Sequence, residues 1–312
     1  MSKKLNLTNE HELTFALPFN ELGPRHTSLQ QGISWTNELH GIPDSWKATQ
    51  GKGVKIAVLD TGLAPNHPAL KCNVLEVADF SNTASNAGDG HGHGTHIAGI
   101  LAAKEMKPPG PAGIAPMAKL LIGKVLDDNG RGNANAIAEG IYWAVDCGAN
   151  LIILNCGSEY EFVVIKKAIK YATKAKTFIL SSIGDSGTNW NTFHFPASEN
   201  EVITVGNEFN YYNTPPIHAL NVPALFVPSR EVVSTFPPKG YASMSGAATS
   251  TAIATGIAAL ALSKHYQFGG TTPIRSSEDL LNHLERVDFS SRLGASSTLV
   301  NPETFVNTRA VA

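Results

Sequence analysis

Neither sign of charge dominates this sequence: 24 Lys and Arg stand against 26 Asp and Glu, a formal net charge of −2. With no basic excess and no Lys/Arg cluster there is no electrostatic footprint for nucleic acid, and that class of partner is set aside. Charged residues make up only 16% of the chain against 42% hydrophobic, the reverse of a disordered composition. Cysteine is scarce: Cys72, Cys147 and Cys156 are odd in number and contain no Cys-x-x-Cys pair. They frame neither a disulfide set nor a zinc site, and free buried thiols suit a reducing compartment. No apolar run is long enough to span a bilayer. The start, Met1-Ser2-Lys3-Lys4-Leu5-Asn6-Leu7-Thr8-Asn9-Glu10, is too polar for the core of a signal peptide. The cytoplasm, with no membrane partner, is therefore the expected location.

No composition shift or repeat divides the chain after its first residues. Residues 1–28 are a mixed, Pro-containing extension, and residues 29–312 are expected to form one domain. The domain is organised around Val54-Lys55-Ile56-Ala57-Val58-Leu59-Asp60-Thr61-Gly62, a short apolar run that stops at a carboxylate and turns on glycine. Such a run predicts a strand buried on both faces. Further strands are predicted at 120–125, 151–155, 178–181 and 202–205, with helices over 93–103, 134–147 and 162–174 between them. Alternating β and α units imply an α/β fold, a doubly wound and mostly parallel sheet with helices on both faces. Residues 206–240, rich in proline, are expected to be loop. A small-residue helix over 246–262 and an amphipathic helix over 277–286 follow. In open parallel sheets, sites form at the carboxyl ends of the strands, where Asp60 falls.

The second informative stretch is Gly88-Asp89-Gly90-His91-Gly92-His93-Gly94-Thr95-His96-Ile97-Ala98-Gly99. Its alternate histidines lack the i, i+4 spacing of a helical metal site, so no metal is expected there. The glycines permit close backbone approach, and one His at the start of a helix can face Asp60 across the sheet. An imidazole oriented by a carboxylate is the base half of a nucleophilic relay.

Asp60-Thr61-Gly62, His93-Gly94-Thr95-His96-Ile97-Ala98-Gly99 and Gly113-Ile114-Ala115-Pro116 together resemble the subtilisin-like serine proteases, the subtilases (peptidase family S8). The order Asp, His, nucleophile is the subtilisin order, and the likeness runs from about Gly32 to Pro302. The layout is similar to the intracellular subtilisins, which lack a signal peptide and carry a short N-terminal segment across the active site. The resemblance implies a serine endopeptidase acting on peptides or proteins. It also implies a zymogen-like role for residues 1–28, with Leu17-Pro18-Phe19 as a loose match to the family's Leu-Ile-Pro-Tyr-like segment.

Departures from the family pattern fall on the chemistry. The family's Gly-Thr-Ser-Met-Ala motif aligns with Gly246-Ala247-Ala248, so the nucleophile position reads Ala248. Ser243-Met244 imitates the motif out of register. Without a hydroxyl at 248, two explanations stand: a Ser-to-Ala substitution of an active parent, or a natural pseudoprotease that binds peptides through an intact cleft. A third assigns the nucleophile to Ser243, Ser245 or Ser250. The family's oxyanion Asn reads Asp185, which donates only if protonated; otherwise backbone N–H groups at the start of the 248 helix must suffice. Gly130, Arg131 and Gly132 match the family's substrate-pairing edge strand. Asn155, Cys156 and Gly157 match its opposite wall, with Asn155 and Cys156 departing from the family residues. The family's strong calcium-site Asp reads Ala69, which removes a hard oxygen ligand, so no cofactor is expected, with calcium left as the one alternative the resemblance implies.

Overall fold

The apolar run ending at Asp60 is a strand in the interior of the main sheet. The computed structural model describes residues 14–17, 21–26, 42–83, 86–105, 110–184, 195–207, 224–269 and 273–286. In chain order these form β1 (Thr14–Ala16), β2 (Glu21–His26), α1 (Ile42–Ser45), β3 (Lys55–Asp60), β4 (Val74–Asp79), α2 (His93–Ala102), β5 (Lys119–Lys124), β6 (Arg131–Asn133), α3 (Ala134–Asp146), β7 (Leu151–Leu154), α4 (Val163–Lys174), β8 (Phe178–Ser182), β9 (Val202–Gly206), β10 (Ala224–Phe226), β11 (Val232–Phe236), β12 (Gly240–Ser245), α5 (Ala247–Phe268) and α6 (Ser277–Arg286).

Seven strands lie in the order β10-β9-β8-β7-β3-β5-β4, and every pairing between them is parallel. Successive side chains enter opposite cores, which is why the central strands are apolar along most of their length. Val58, Ile122, Ile153 and Leu180 pack with Ile97 and Leu101 of α2 and with Ala248, Ala252 and Ile253 of α5. Leu59, Leu121, Ile152 and Leu154 pack on the other face with Ile137 and Ile141 of α3 and Ile165 and Ile169 of α4. Helix α5 is buried from Ala247 through Ser263; its Ala, Gly, Ser and Thr residues permit that close packing.

The predicted strands and helices form within a residue or two of their expected limits, except that the small-residue helix runs on to Phe268. Two strands in the expected loop region, β10 and β11, were not anticipated. β11 forms an antiparallel hairpin with β12, joined through Pro237 and Pro238, where proline's missing donor and fixed φ suit the turn rather than the strand. β4 also escaped notice. It is a sheet edge with Leu75 and Val77 exposed, so no buried face imposes a readable period on it. The N-terminal residues add two strands: β1 pairs with β6 and β2 with β12.

Candidate active site

Asp60 ends β3 at the carboxyl edge of the sheet, and its Oδ1 accepts the Thr61 N–H at 2.7 Å. The chain then turns on Gly62, whose φ of 105° suits glycine alone. Helix α2 opens with His93 directly behind this turn. A Cβ on Gly94 would run into the Gly62 carbonyl, so the Asp60 turn and the His93 helix touch backbone to backbone.

That approach sets His93 Nδ1 at 2.8 and 2.9 Å from the two Asp60 carboxylate oxygens, with both side chains buried. Nδ1–H donates to Asp60, which leaves Nε2 as the basic nitrogen. Nε2 is buried and has no hydrogen-bond partner among the described residues. Burial alone lowers the imidazole's proton affinity. The Asp60 charge, its hydrogen bond and the Asp89 charge outweigh that and hold His93 above the ordinary histidine value.

Asp89 is the residue that motif reading passed over. Its Oδ1 accepts from Thr61 Oγ1 at 2.8 Å, His91 N at 3.2 Å and Gly92 N at 2.7 Å. Its Oδ2 accepts from Thr95 N at 2.8 Å and Thr95 Oγ1 at 2.6 Å. Thr61 Oγ1 in turn accepts from Gly94 N at 2.9 Å. One buried carboxylate thus ties the turn carrying Asp60 to the first turn of the helix carrying His93. The available signal was an acidic residue inside a glycine-rich run, where orphan N–H groups at a helix start need acceptors.

The other histidines take separate roles. The His91 and His93 rings meet edge to face with centroids 6.2 Å apart. His96 points away, its Nε2 lying 3.1 Å from Val232 O and 3.0 Å from Ala242 O. Burial and the nearby His93 push its pKa down to about 3, so the ring is neutral and donates to those carbonyls. Among the described residues no group of three His, Cys, Asp or Glu could hold a metal ion.

Ala248 lies in the first turn of α5 behind Gly246, is fully buried, and joins the same apolar cluster as Val58 and Ile97. It therefore faces the side of the sheet that carries α2. The nearby serines are otherwise engaged: Ser245 Oγ accepts from Glu231 N at 2.8 Å, and Ser250 Oγ donates to Val227 O at 2.6 Å. Ser243 is buried on β12, and none of the three bonds His93 Nε2. Asp185 lies outside the described residues.

The two predicted cleft walls are brought together by the chain's own N-terminal strand. Phe15 pairs with Gly132 and Ala16 with Arg131 in an antiparallel ladder, and Leu17 N donates to Gly130 O at 3.1 Å. On the other side Gly157 N donates to Ala16 O at 3.1 Å, and Ala16 N to Gly157 O at 3.3 Å. Phe15 is fully buried, its ring centroid 5.0 Å from Phe162 and 6.3 Å from Phe195. The Arg131 side chain is exposed, while its N–H donates to Asp127 Oδ1 at 2.9 Å. Cys156 is buried, and burial followed by the Asp60 charge drives its thiol far above the ordinary range, so it stays protonated and unreactive. Asn155 is buried, and neither atom of its carboxamide has a partner among the described residues.

A carboxylate-oriented imidazole with a bare Nε2, beside a helix start and an edge strand that pairs with extended peptide, defines the frame of a serine hydrolase acting on polypeptides. The chain belongs to the subtilase family, whose model matches residues 51–285. It is 35% identical to thermitase of Thermoactinomyces vulgaris over 71% of this chain and 79% of that protein. It is 34% identical to the major intracellular serine protease of Bacillus subtilis (strain 168), over 72% of this chain and 73% of that protein. An intracellular serine protease of Paenibacillus polymyxa is also 34% identical, over 72% of this chain and 71% of that protein. By family this is a subtilisin-like serine endopeptidase.

Proposed function

We propose that the chain is a peptide-bond hydrolase of the Asp-His-Ser type held in an inactive form at position 248, with its own N-terminal strand lying in the substrate cleft. In this reading Asp60 orients His93 and stabilises its protonated form, and His93 serves as the general base for a hydroxyl at position 248. The buried Nε2 of His93, without a partner among the described residues, carries the reading: it is the atom that a serine hydroxyl would meet, and the alanine side chain gives it nothing to bond. In the same reading the backbone N–H of residue 248 donates to the developing oxyanion; the family's side-chain donor position is Asp185, outside the described residues.

The ladder from Thr14 to Leu17 supports residues 1–28 as a self-inhibitory segment. β-Augmentation of an edge strand is how an extended peptide is held, and here the peptide belongs to the same chain. The same ladder favours a second reading, a peptide-binding module that never cleaves. The Ala248→Ser variant, assayed intact and with the strand loosened by Phe15→Ala, separates them: hydrolysis of peptide substrates is expected, faster in the second, and correctly folded chains without hydrolysis in both forms would leave only the binding module. Loss of a subtilase nucleophile costs about 10⁶ in kcat, a figure measured in subtilisin itself, so the gain on restoring it should stand far above background.

No calcium ion is assigned to the family's strong site. Ala69 packs in the apolar core beside Leu70, offers no side-chain oxygen, and its carbonyl accepts from Lys104 N at 2.8 Å. A cytoplasmic location is supported by three free cysteines and by relatives named as intracellular proteases. Among the described residues no helix is long and apolar enough to cross a membrane.

A further inference from the structure

We propose that the Asn155 carboxamide is the side-chain donor that holds the carbonyl of a bound peptide at the reacting position, a task for which an ionised Asp185 is unsuited. The inference rests on the peptide-cleft reading above and deepens it.

Three observations converge. First, both polar atoms of the Asn155 side chain are buried and without a partner among the described residues. A desolvated amide left unbonded costs on the order of 1–3 kcal/mol, and a fold tolerates that where a ligand supplies the missing partner.

Second, the sheet aims the side chain at the site. Leu59 of β3 pairs with Leu154 of β7, so Asn155 stands beside Asp60. Side chains alternate along both strands: Val58 and Ile153 enter the core that holds Ala248, while Leu59 and Leu154 enter the opposite one. The next residues, Asp60 and Asn155, return to the Ala248 side, where His93 Nε2 also lacks a partner.

Third, the peptide register points there. The Ala16–Gly157 bridge is antiparallel. A peptide continuing in that register therefore sets the residue two positions beyond its Ala16 equivalent opposite Asn155. Its carbonyl is then the one delivered to the nitrogen of His93 and the helix start at 248. An amide N–H there bonds the carbonyl in the ground state, and bonds it more strongly as negative charge grows on the oxygen.

The test uses the full chain. In the Ala248→Ser background, Asn155→Ala should lower kcat about 10²-fold while KM changes less than about threefold; removing one oxyanion donor in subtilisin costs 10²–10³. Asn155→Gln, which keeps the amide, should recover part of the loss. An unchanged kcat, or a raised KM with kcat intact, overturns the proposal. If Ala248→Ser gives no turnover even with Phe15→Ala loosening the N-terminal strand, the hydrolase reading fails and amide hydrogen exchange in the Ala248 chain decides instead. Asn155→Ala should then lower protection of the Ala16 and Leu17 N–H groups about tenfold, and equal protection overturns the proposal. Absence of both turnover and protection removes the seated peptide itself, and the proposal with it.

Discussion

Substituting Phe15 tests whether the N-terminal strand is held in the cleft by its side chain or only by its backbone ladder. The ring is fully buried against Phe162 and Phe195 and belongs to the same apolar cluster as Leu126, Ala138 and Leu154. Phe→Ala in a packed core costs about 3–5 kcal/mol. The lower end applies here, because a pocket at the margin of a cleft can collapse or admit water. At about 1.4 kcal/mol per factor of ten, about 3 kcal/mol lowers the ratio of docked to undocked strand about 10²-fold. Hydrogen exchange reads that ratio at Ala16 N–H and Leu17 N–H, whose acceptors are the carbonyls of Gly157 and Gly130. Phe15→Ala should reduce protection there about 10²-fold while β5 and β7 keep theirs. Protection within about threefold of the unsubstituted chain would show that the pocket contributes nothing to docking, and the side-chain account of self-inhibition would fall.

Other outcomes follow from the same geometry. Asp60→Asn should lower the titration point of His93, read from imidazole NMR, because the charge that offsets burial is gone; an unmoved titration would separate the two residues functionally. Since the His93 proton affinity is raised in the fold, the protonated pair contributes stability below the ordinary histidine value near 6.5. That contribution is lost as pH rises through the higher folded value. The Ala248→Ser chain, which needs His93 unprotonated, should therefore gain activity across that higher range. His96 has the opposite sign: with a folded pKa of about 3, the neutral ring favours the fold above the ordinary value, and stability falls as pH drops from there toward 3. His96→Gln, which keeps a donor for the carbonyls of Val232 and Ala242 but does not titrate, should flatten that acid limb in denaturation midpoints. Asp89→Asn turns an acceptor into a donor facing Thr95 N–H, and should cost about 1–3 kcal/mol of stability and also lower the His93 titration point.

Strands buried on both faces were plain in the sequence because their residues are mostly apolar, and Asp60 stood out as the carboxylate that ends one of them. The His93 helix was legible through its glycines, which mark where backbone meets backbone. What stayed hidden depends on contacts between distant segments. β4 is an edge with exposed Leu75 and Val77, and β11 lies in a proline-rich stretch where its partner β12 decides its conformation. Asp89 has no side-chain period to announce it; its role exists only once Thr61, Gly92 and Thr95 gather round one carboxylate. The short β1 is a strand added at an edge, one of the two readings the sequence left open for residues 13–19, the other being a disordered leader. Three residues carry no periodicity, and their strand character comes from the ladder offered by Arg131–Asn133.

The departures from the family pattern are not scattered over this framework. Asp60, His93, Gly62 and Gly94 keep the geometry of the relay, while Ala248, Asn155 and Cys156 are buried residues that depart from the family's pattern. A relay frame drifting without function would lose its buried carboxylates first, since Asp60 and Asp89 are tolerated in the interior only while their hydrogen-bond partners remain in place. Both retain their partners, down to the Thr61 hydroxyl that bonds Asp89 and the Thr61 N–H that bonds Asp60. Position 248 carries no hydroxyl, and at 155, on the same side of the sheet, stands an amide whose two polar atoms have no partner among the described residues. Measuring peptide capture in Asn155→Ala separately from turnover in Ala248→Ser distinguishes holding from cutting.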